Sequence, residues 1–361
     1  MTRSRLFLTA GVVVVSVLVG FAALCWIYWT TPTADKGSDV VIQIPRGAVL
    51  PSVADTLAAH DLLDHGTVFL WGARITGRDR AIQAGRYALP RGLSPRDLLD
   101  RLVAGHTVPV KVTLREGTDA ATIADELALS FDWTAETFLA VADSLVRAFM
   151  ADPPLDQDPA ILPAYETILS AERVRTGRKF PVCEGYLFPE TYHFAEGLAA
   201  ARVAASVLGE GAAHWRDSLD EAQSPLATFH EVLTLASIVE AETSREDEMP
   251  RVAAVYLNRL ARRRHLEADP TIAHATNKRG QRILYADLEV ASPYNTYRQI
   301  GLPPGPICSP GLAAVRAVLT PESGFDALYF VADGLGGHIF SRTLEEHREA
   351  VRAYRQRRDA R

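Results

Sequence analysis

Leu235-Ala236-Ser237-Ile238-Val239-Glu240-Ala241-Glu242-Thr243 is an apolar helical stretch that ends in two carboxylates. At roughly 100° per residue, Glu242 falls on the stripe of Leu235 and Ile238, whereas Glu240 points nearly to the opposite side. A carboxylate on an apolar stripe tends to have a raised pKa, as a general acid needs near neutral pH. A solvated helix end is the alternative interpretation, because Glu is usually exposed. Helical phase therefore favours Glu242 over Glu240 as a buried acid.

Composition describes an ordinary globular protein. The chain has 361 residues, of which 48% are hydrophobic and 23% charged, and its formal net charge is −6. This length allows two or three domains, and the mild negative charge gives no indication of a nucleic-acid partner. The ten histidines show no metal-ligand spacing. We therefore predict neither a bound metal nor another cofactor.

The N-terminus predicts a membrane anchor. An uncharged run extends from Leu6 to Trp29, and at about 1.5 Å per residue it can span a hydrocarbon core of about 30 Å. A cleaved signal peptide is the alternative, but its apolar region is typically shorter, about 7–15 residues. Trp26 and Trp29 close the run as interfacial aromatics do, and Arg3 and Arg5 favour a cytoplasmic N-terminus.

A strand–turn–helix pattern occurs twice after this run. The first copy has a strand at Val40–Pro45, a turn at Arg46-Gly47 and a helix with Ala54-Asp55-Thr56-Leu57. The second has a strand at Val108–Leu114, a turn at Gly117 and a helix with Ala124-Asp125-Glu126-Leu127. The pattern resembles LysM-like modules, which bind glycan chains, although a generic α+β packing unit is the alternative.

The middle of the chain alternates between regular and irregular segments. Ser94 is predicted to cap a helix, and Phe131–Lys179 to be helical around a loop at Asp152–Pro159. Glu184–Tyr192 is aromatic with Pro189 inside, which suits a rigid wall of a groove. Cys183 and Cys308 are either a disulfide or two buried thiols, and the sequence leaves this open.

The densest signals lie in the C-terminal third. Pro250 fits the first turn of a helix whose apolar face includes Tyr256, and Asn258-Arg259 is predicted to end it on the polar side. Further motifs follow, and prolines and glycines fix the shape of the last one, a loop of the kind that carries functional sites. These are Asp269-Pro270-Thr271, Ser292-Pro293-Tyr294-Asn295-Thr296-Tyr297 and Gly301–Gly311.

In their order and detail these motifs resemble the MltG/YceG family of endolytic murein transglycosylases. The resemblance extends from Glu184-Gly185-Tyr186 to His338-Ile339-Phe340, and the predicted anchor and LysM-like region extend it to nearly the whole chain. Its most specific parts are Ala236–Thr243, Asn258-Arg259-Leu260, Asp269-Pro270-Thr271, Tyr294–Tyr297 and Gly301–Gly305.

The resemblance implies an enzyme, a lyase that cuts the β-1,4 bond between N-acetylmuramic acid and N-acetylglucosamine in nascent peptidoglycan strands. The product ends in 1,6-anhydro-muramic acid, because the 6-hydroxyl of the sugar replaces water as nucleophile. Since that nucleophile is already tethered, one glutamate can act as acid and then as base. Motif alignment assigns this role to Glu242, in agreement with the helical phase.

Seven other residues are candidates for binding the sugar, by hydrogen bonds or, for Tyr186, by stacking. Asp269 as a turn former and Asn258 as a helix-end cap are the alternative roles. The candidates are Asn258, Asp269, Thr271, Tyr294, Asn295, Tyr297 and Tyr186.

The chain also departs from the family pattern. Glu267 stands where a glutamine is usual, Ala273-His274-Ala275 replaces a Tyr-Gly type of ending, and Arg262-Arg263-Arg264-His265 is unusually basic. A further charge near the site could raise the pKa of a neighbouring carboxylate, or Glu267 is simply exposed. These departures concern substrate-binding details rather than the class of reaction.

The predicted fold class is α+β, with one N-terminal transmembrane helix, LysM-like α/β modules and a mixed α+β catalytic domain. The predicted location is the plasma (inner) membrane, with the catalytic domain on its extracytoplasmic side. Peptidoglycan strands are the expected partner, and a peptidoglycan synthase is left open. A catalytically silent cell-wall-binding or division scaffold and a hydrolytic muramidase are the rival functions. The predicted segments are a cytoplasmic N-terminus (1–5), transmembrane helix (6–29), tether (30–39), LysM-like region (40–130), helical connection (131–180) and YceG-like catalytic domain (181–361).

Overall fold

The structure is a computed structural model that describes residues 2–32, 38–45, 47–105, 108–151, 161–219 and 225–359. The predicted turn residue Arg46, half of the predicted tether and the predicted loop at 152–159 lie outside these ranges. Two compact units are present, one comprising residues 1–111 and 193–198 and the other 112–192 and 199–361. The predicted domain boundaries differ from this division and stay a prediction.

The first unit contains four helices and a small two-stranded sheet. Its elements are α1 (Thr2–Thr30), β1 (Val40–Ile44), α2 (Leu50–Ala59), α3 (Gly66–Ile75), β2 (Gly85–Leu89) and α4 (Pro95–Ala104). The two strands are antiparallel, with Ile42 opposite Tyr87. Ser94 caps α4 as predicted, accepting the Asp97 N–H at 3.1 Å. Alternate strand residues and one face of each helix form the core.

The helix α1 bears out the predicted apolar element. Val12–Thr30 has a mean hydropathy of 2.3 and is almost entirely exposed. By length and composition it can cross a membrane, and a signal sequence near the N-terminus has the same properties.

The strand and the helix form in both copies of the strand–turn–helix pattern, and both strands are shorter than predicted, at Val40–Ile44 and Val110–Thr113. Gly47 and Gly117 adopt φ of 73° and 72°, the left-handed conformation that glycine allows. In both following helices the Ala and Leu of the Ala-Asp-x-Leu motif are buried. The two copies therefore share the same local structure. This similarity does not by itself show that they are LysM-like modules.

The second unit is mostly helical. The strands β3 (Val110–Thr113) and β4 (Thr191–Phe194) pair and have residues in both units. The remaining elements are α5 (Ala120–Ala128), α6 (Ala135–Ala151), α7 (Ile161–Thr176), α8 (Ala200–Leu219), α9 (Phe229–Glu242), α10 (Met249–Ala261), α11 (Asp269–Thr276), α12 (Leu312–Leu319), β5 (Tyr329–Ala332), β6 (His338–Ser341) and α13 (Leu344–Asp359).

The helix α9 is the centre of the second unit. A capping box starts it, with Thr228 accepting the Glu231 N–H and the Glu231 carboxylate accepting the Thr228 N–H. From Phe229 to Val239 every residue except Glu231 is buried. The amphipathic stripe predicted from helical phase is therefore wrong for α9, because α10, α11 and α12 pack against it and Trp215 of α8 contacts Phe229 at its start.

Candidate active site

Glu242 is the last residue of α9 and is half-buried. The Tyr256 hydroxyl on α10 donates a 2.6 Å hydrogen bond to its Oε1 atom. Burial raises the pKa of Glu242 to about 7, against a lowering contribution from the Tyr256 bond, and the Asp269 charge raises it further. A carboxyl group with this pKa holds a proton at neutral pH and can release it, as acid–base catalysis requires.

Tyr256 itself was not singled out by the sequence. It is 1% exposed, and its ring packs edge-on against Phe330 at 5.8 Å. In the helical pattern of α10 it counted only as one more apolar residue. Only the packing of α10 against α9 brings its hydroxyl to Glu242.

Asp269 and Tyr297 form a second hydrogen-bonded pair near Glu242. The Tyr297 hydroxyl donates to Asp269 Oδ1 at 2.6 Å. Burial raises the pKa of Tyr297, and the nearby Asp269 and Glu242 charges raise it further. Three of the predicted residues, Glu242, Asp269 and Tyr297, are thus brought within electrostatic reach of one another.

The second carboxylate of the motif, Glu240, occupies a different environment. Its Oε2 atom accepts the Gly311 N–H at 3.0 Å. Burial raises its pKa to about 7, and the charges of Glu116 and Glu246 add to the increase. Glu240 is half-buried, so the predicted contrast between a buried Glu242 and a solvated Glu240 is wrong.

The loop Gly301–Gly311 is fastened along α9. The Ile307 N–H donates to Ser237 Oγ at 3.0 Å, and the His230 ring bonds the Pro304 carbonyl at 2.8 Å. The Gly117 N–H donates to the Ser309 carbonyl, and the Ser309 N–H donates to the Thr118 carbonyl. These two bonds connect the second strand–turn–helix copy to the same loop. With the Glu240 bond, α9 fixes the loop along its length.

The predicted residues of the Tyr294–Tyr297 motif hold the loop together. Asn295 donates to the Leu288 and Val290 carbonyls, both at 2.8 Å, and its Oδ1 accepts the Tyr297 N–H at 3.0 Å. Tyr294 is 1% exposed, and its ring stacks on Phe180 at 6.1 Å. In this packing Asn295 sets the position of Tyr297.

Thr271 and Asn258 are likewise engaged inside the protein. The Thr271 hydroxyl bonds Ala268 O and Thr296 Oγ1, and Thr296 in turn accepts the Ala268 N–H beside Asp269. Asn258 donates to the Phe325 and Ala327 carbonyls at 2.8 and 3.1 Å. Both side chains therefore fix the backbone around the site.

The aromatic segment Glu184–Tyr192 lies in the core. Tyr186 is 2% exposed, and its hydroxyl is 2.9 Å from His230 Nδ1. Stacking of Tyr186 on a sugar would require this packing to change. Burial raises the pKa of the neighbouring Glu184 to about 8, and its Oε1 accepts the Ala120 N–H at the start of α5. Burial of the Glu184 carboxyl group could not be predicted from the sequence.

Glu267, one of the departures from the family pattern, is linked to Arg259. Arg259 is buried, contrary to its predicted place on a polar helix face, and donates to the Leu328, His265 and Leu266 carbonyls. Its guanidinium also pairs with Glu267 at 2.8 Å. Of the basic run, Arg264 bonds the Tyr329 hydroxyl at 2.7 Å. Glu267 is therefore a partner of a buried arginine.

Cys183 and Cys308 are both buried free thiols, so the second of the two alternatives holds. Within the described ranges, no group of three or more His, Cys, Asp or Glu side chains could hold a metal ion.

The profile of the YceG-like family matches residues 42–353. The chain belongs to this family. The family resemblance of the motifs is thereby confirmed. A relative from Bacillus subtilis (strain 168), named an endolytic murein transglycosylase, is 29% identical over 89% of this chain and 86% of its own length.

Two further relatives extend the comparison. An endolytic murein transglycosylase from Streptococcus pneumoniae (strain D39) is 31% identical over 87% of this chain and 58% of its own length. The crystal structure of a YceG-like protein from Listeria monocytogenes matches with a TM-score of 0.54 and 29% identity, over 86% of this chain and 98% of that one.

Proposed function

We propose that this chain is an endolytic murein transglycosylase in which Glu242 is the acid and then the base. The observation that carries the proposal is the half-buried Glu242 carboxyl group, with a pKa of about 7, held by the Tyr256 hydroxyl beside Asp269. The names of the relatives support the same activity. The substrate would be the glycan strand of peptidoglycan.

In the proposed reaction, Glu242 donates one proton and later accepts one. Protonated Glu242 gives its proton to the glycosidic oxygen as the bond from that oxygen to muramic-acid C1 breaks. The 6-hydroxyl of the same muramic acid then bonds to C1, and the Glu242 carboxylate takes the hydroxyl proton. The enzyme is regenerated, no water is consumed, and the products are an anhydro end and a free 4-hydroxyl.

Asp269 is proposed to act on the substrate directly, and Tyr297 to position Asp269. A carboxylate beside Glu242 favours the positive charge that develops at C1, and the Tyr297 hydroxyl holds that carboxylate in place. In our proposal, four further residues keep this pair in position through hydrogen bonds to the backbone and through packing. They are Asn258, Thr271, Tyr294 and Asn295.

The proximity of Asp269 also favours one rival. A hydrolytic muramidase needs a second carboxylate to activate water, and Asp269 has the chemistry for it. Product mass separates the two reactions, because an anhydro end is lighter than a reducing end by one water. Full chain in detergent, incubated with uncrosslinked glycan, should release only the lighter ends. Reducing ends alone would make the enzyme a hydrolase, and no cleavage by the intact chain would favour the silent scaffold.

For location, we propose that α1 is retained as a membrane anchor with the rest of the chain outside the cytoplasm. The apolar length of Val12–Thr30 supports the anchor. Residues 40–130 are proposed to add glycan affinity, as LysM-like modules do. Detergent extraction followed by intact-mass measurement tests the anchor, since a cleaved signal peptide would leave a chain without residues 1–29.

A further inference from the structure

An apolar groove of about 440 Å³ lies between the second half of α1 and α3. Nearly all of its lining is hydrocarbon or aromatic ring. The main contributors are Phe21, Cys25 and Trp26 from α1 and Val68, Trp71 and Ile75 from α3.

Specific contacts hold α3 against α1. The Tyr28 hydroxyl accepts the His65 N–H at 2.8 Å, at the residue that precedes α3. The Trp29 ring lies directly on Gly72, where any Cβ would overlap it, and packs against Phe69 at 6.4 Å. The position of α3 beside α1 is therefore set by close packing.

The outer side of this pair is strongly apolar and exposed. Trp26 is 64%, Trp71 61% and Ile75 79% exposed. Exposed aromatic and aliphatic side chains that adjoin one groove mark an interaction surface rather than ordinary scattered exposure. Arg74, also exposed, lies one turn from Trp71 and is long enough to keep its charge in water while its stem lies on an apolar surface.

The depth of this surface follows from α1. The groove residues of α1 lie between Phe21 and Trp29, in the last turns of the segment that can span a membrane. At about 1.5 Å per residue, a helix packed on these turns lies within about 15 Å of the end of the span. If α1 crosses the bilayer, α3 cannot avoid the boundary between headgroups and acyl chains, where Trp is enriched.

We propose that α3 is a membrane-interface helix and that lipid acyl chains of the outer leaflet fill the groove between α1 and α3. This inference rests on the proposed retention of α1 and is independent of the glycan chemistry. It places the first unit on the membrane surface, with Trp71 and Ile75 in contact with lipid. Lipid is favoured over a second protein because one wall of the groove is the spanning helix itself.

The test uses the full chain in nanodiscs made with or without lipids brominated near the headgroup end of the acyl chain. Tryptophan fluorescence is recorded for the wild type and for Trp71→Phe, and their difference reports Trp71. We expect the brominated lipid to quench this difference at least twofold. Trp26→Phe, on α1, supplies the reference for full lipid contact. Trp133→Phe supplies the second reference, for a tryptophan that lies on neither α1 nor α3.

Quenching of Trp71 by acrylamide but not by brominated lipid would overturn the proposal, because the face would be in water. Protection from both quenchers would also overturn it, since protein would then cover the groove. An intact mass that lacks residues 1–29 would remove its basis. Glycan cleavage measured on the same nanodiscs is a separate readout, so that failure of the proposed activity is distinguishable from failure of the lipid contact.

Discussion

Two carboxylates at the end of α9 face different surroundings. Glu242 meets the Tyr256 hydroxyl and the charge of Asp269, whereas Glu240 meets the Gly311 backbone and the charges of Glu116 and Glu246. Burial raises the pKa of both to about 7. A raised pKa therefore does not by itself identify the acid. The partners separate the two: Glu240 holds a loop, and we propose that Glu242 handles the proton.

The largest expected effect is on activity in Glu242→Gln. The amide keeps the size of the side chain but has no proton to exchange, so kcat should fall by about 10²–10⁴-fold. Release of anhydro-ended fragments, quantified by mass spectrometry, measures the loss. The matched control is Glu240→Gln, which should keep kcat within about tenfold. The reverse outcome would exchange the roles of the two residues.

A smaller effect is expected for Tyr256→Phe, which removes the hydroxyl and keeps the ring that packs on Phe330. The Tyr256 bond stabilises the charged form of Glu242 and so lowers its pKa, which means that its loss should raise that pKa above about 7. Because the protonated acid is the active form, the alkaline limb of the kcat profile should move to higher pH, with kcat reduced about tenfold. An unshifted limb would mean that Tyr256 only packs.

A third prediction concerns how Glu240 makes the free energy of unfolding depend on pH. The folded-state pKa of Glu240, about 7, lies above its ordinary 4.5, so the native state binds more protons between these pH values. Unfolding free energy should therefore fall as pH rises through this window. Glu240→Gln removes this share while its amide oxygen still accepts the Gly311 N–H. We expect the variant to be about 1–2 kcal/mol more stable than wild type at pH 8 and similar at pH 4. Urea unfolding at the two pH values measures this, and equal differences at both would contradict it.

The smallest effect is expected for Gly311→Ala. An added Cβ would overlap the Glu116 side chain beside Glu240, but that side chain is flexible and can move aside. A loss of about 1 kcal/mol and less than tenfold in kcat should result. Gly209→Ala in α8, where a Cβ meets no other atom of the described residues, is the control and should not lower the melting temperature. A full loss of activity in Gly311→Ala would mean that the Glu240 side also takes part in catalysis.

Local structure could be predicted well from the sequence. The strand at Val40–Ile44, the Ser94 cap and the two glycine turns depend on side-chain alternation, capping and positive φ, which neighbouring residues decide. The phase of α9 could not be predicted in this way. Three helices and the loop Gly301–Gly311 contact α9, so apolar residues occupy most of its circumference and periodicity carries no information.

Only part of the site could be predicted, because contacts between distant segments have no sequence pattern. Glu242, Asp269 and Tyr297 were found through motifs, and the structure brings them together. Tyr256 was missed because a hydroxyl on an apolar helix face has no sequence signal of its own. Asn295 and Thr271 were identified through their motifs as polar candidates, but which of their atoms form hydrogen bonds depends on contacts between different segments of the chain.

By itself, the sequence determined the apolar N-terminal helix, the repeated strand–turn–helix pattern, the family and the pair of candidate acids. These depend on residue type, spacing and local backbone preference. The folded structure was needed to show which partner each acid meets, that Arg259 and Glu184 are buried, and that α3 packs on α1. Burial and hydrogen-bond partners arise from the packing of distant segments, and these same contacts set the pKa of each carboxyl group.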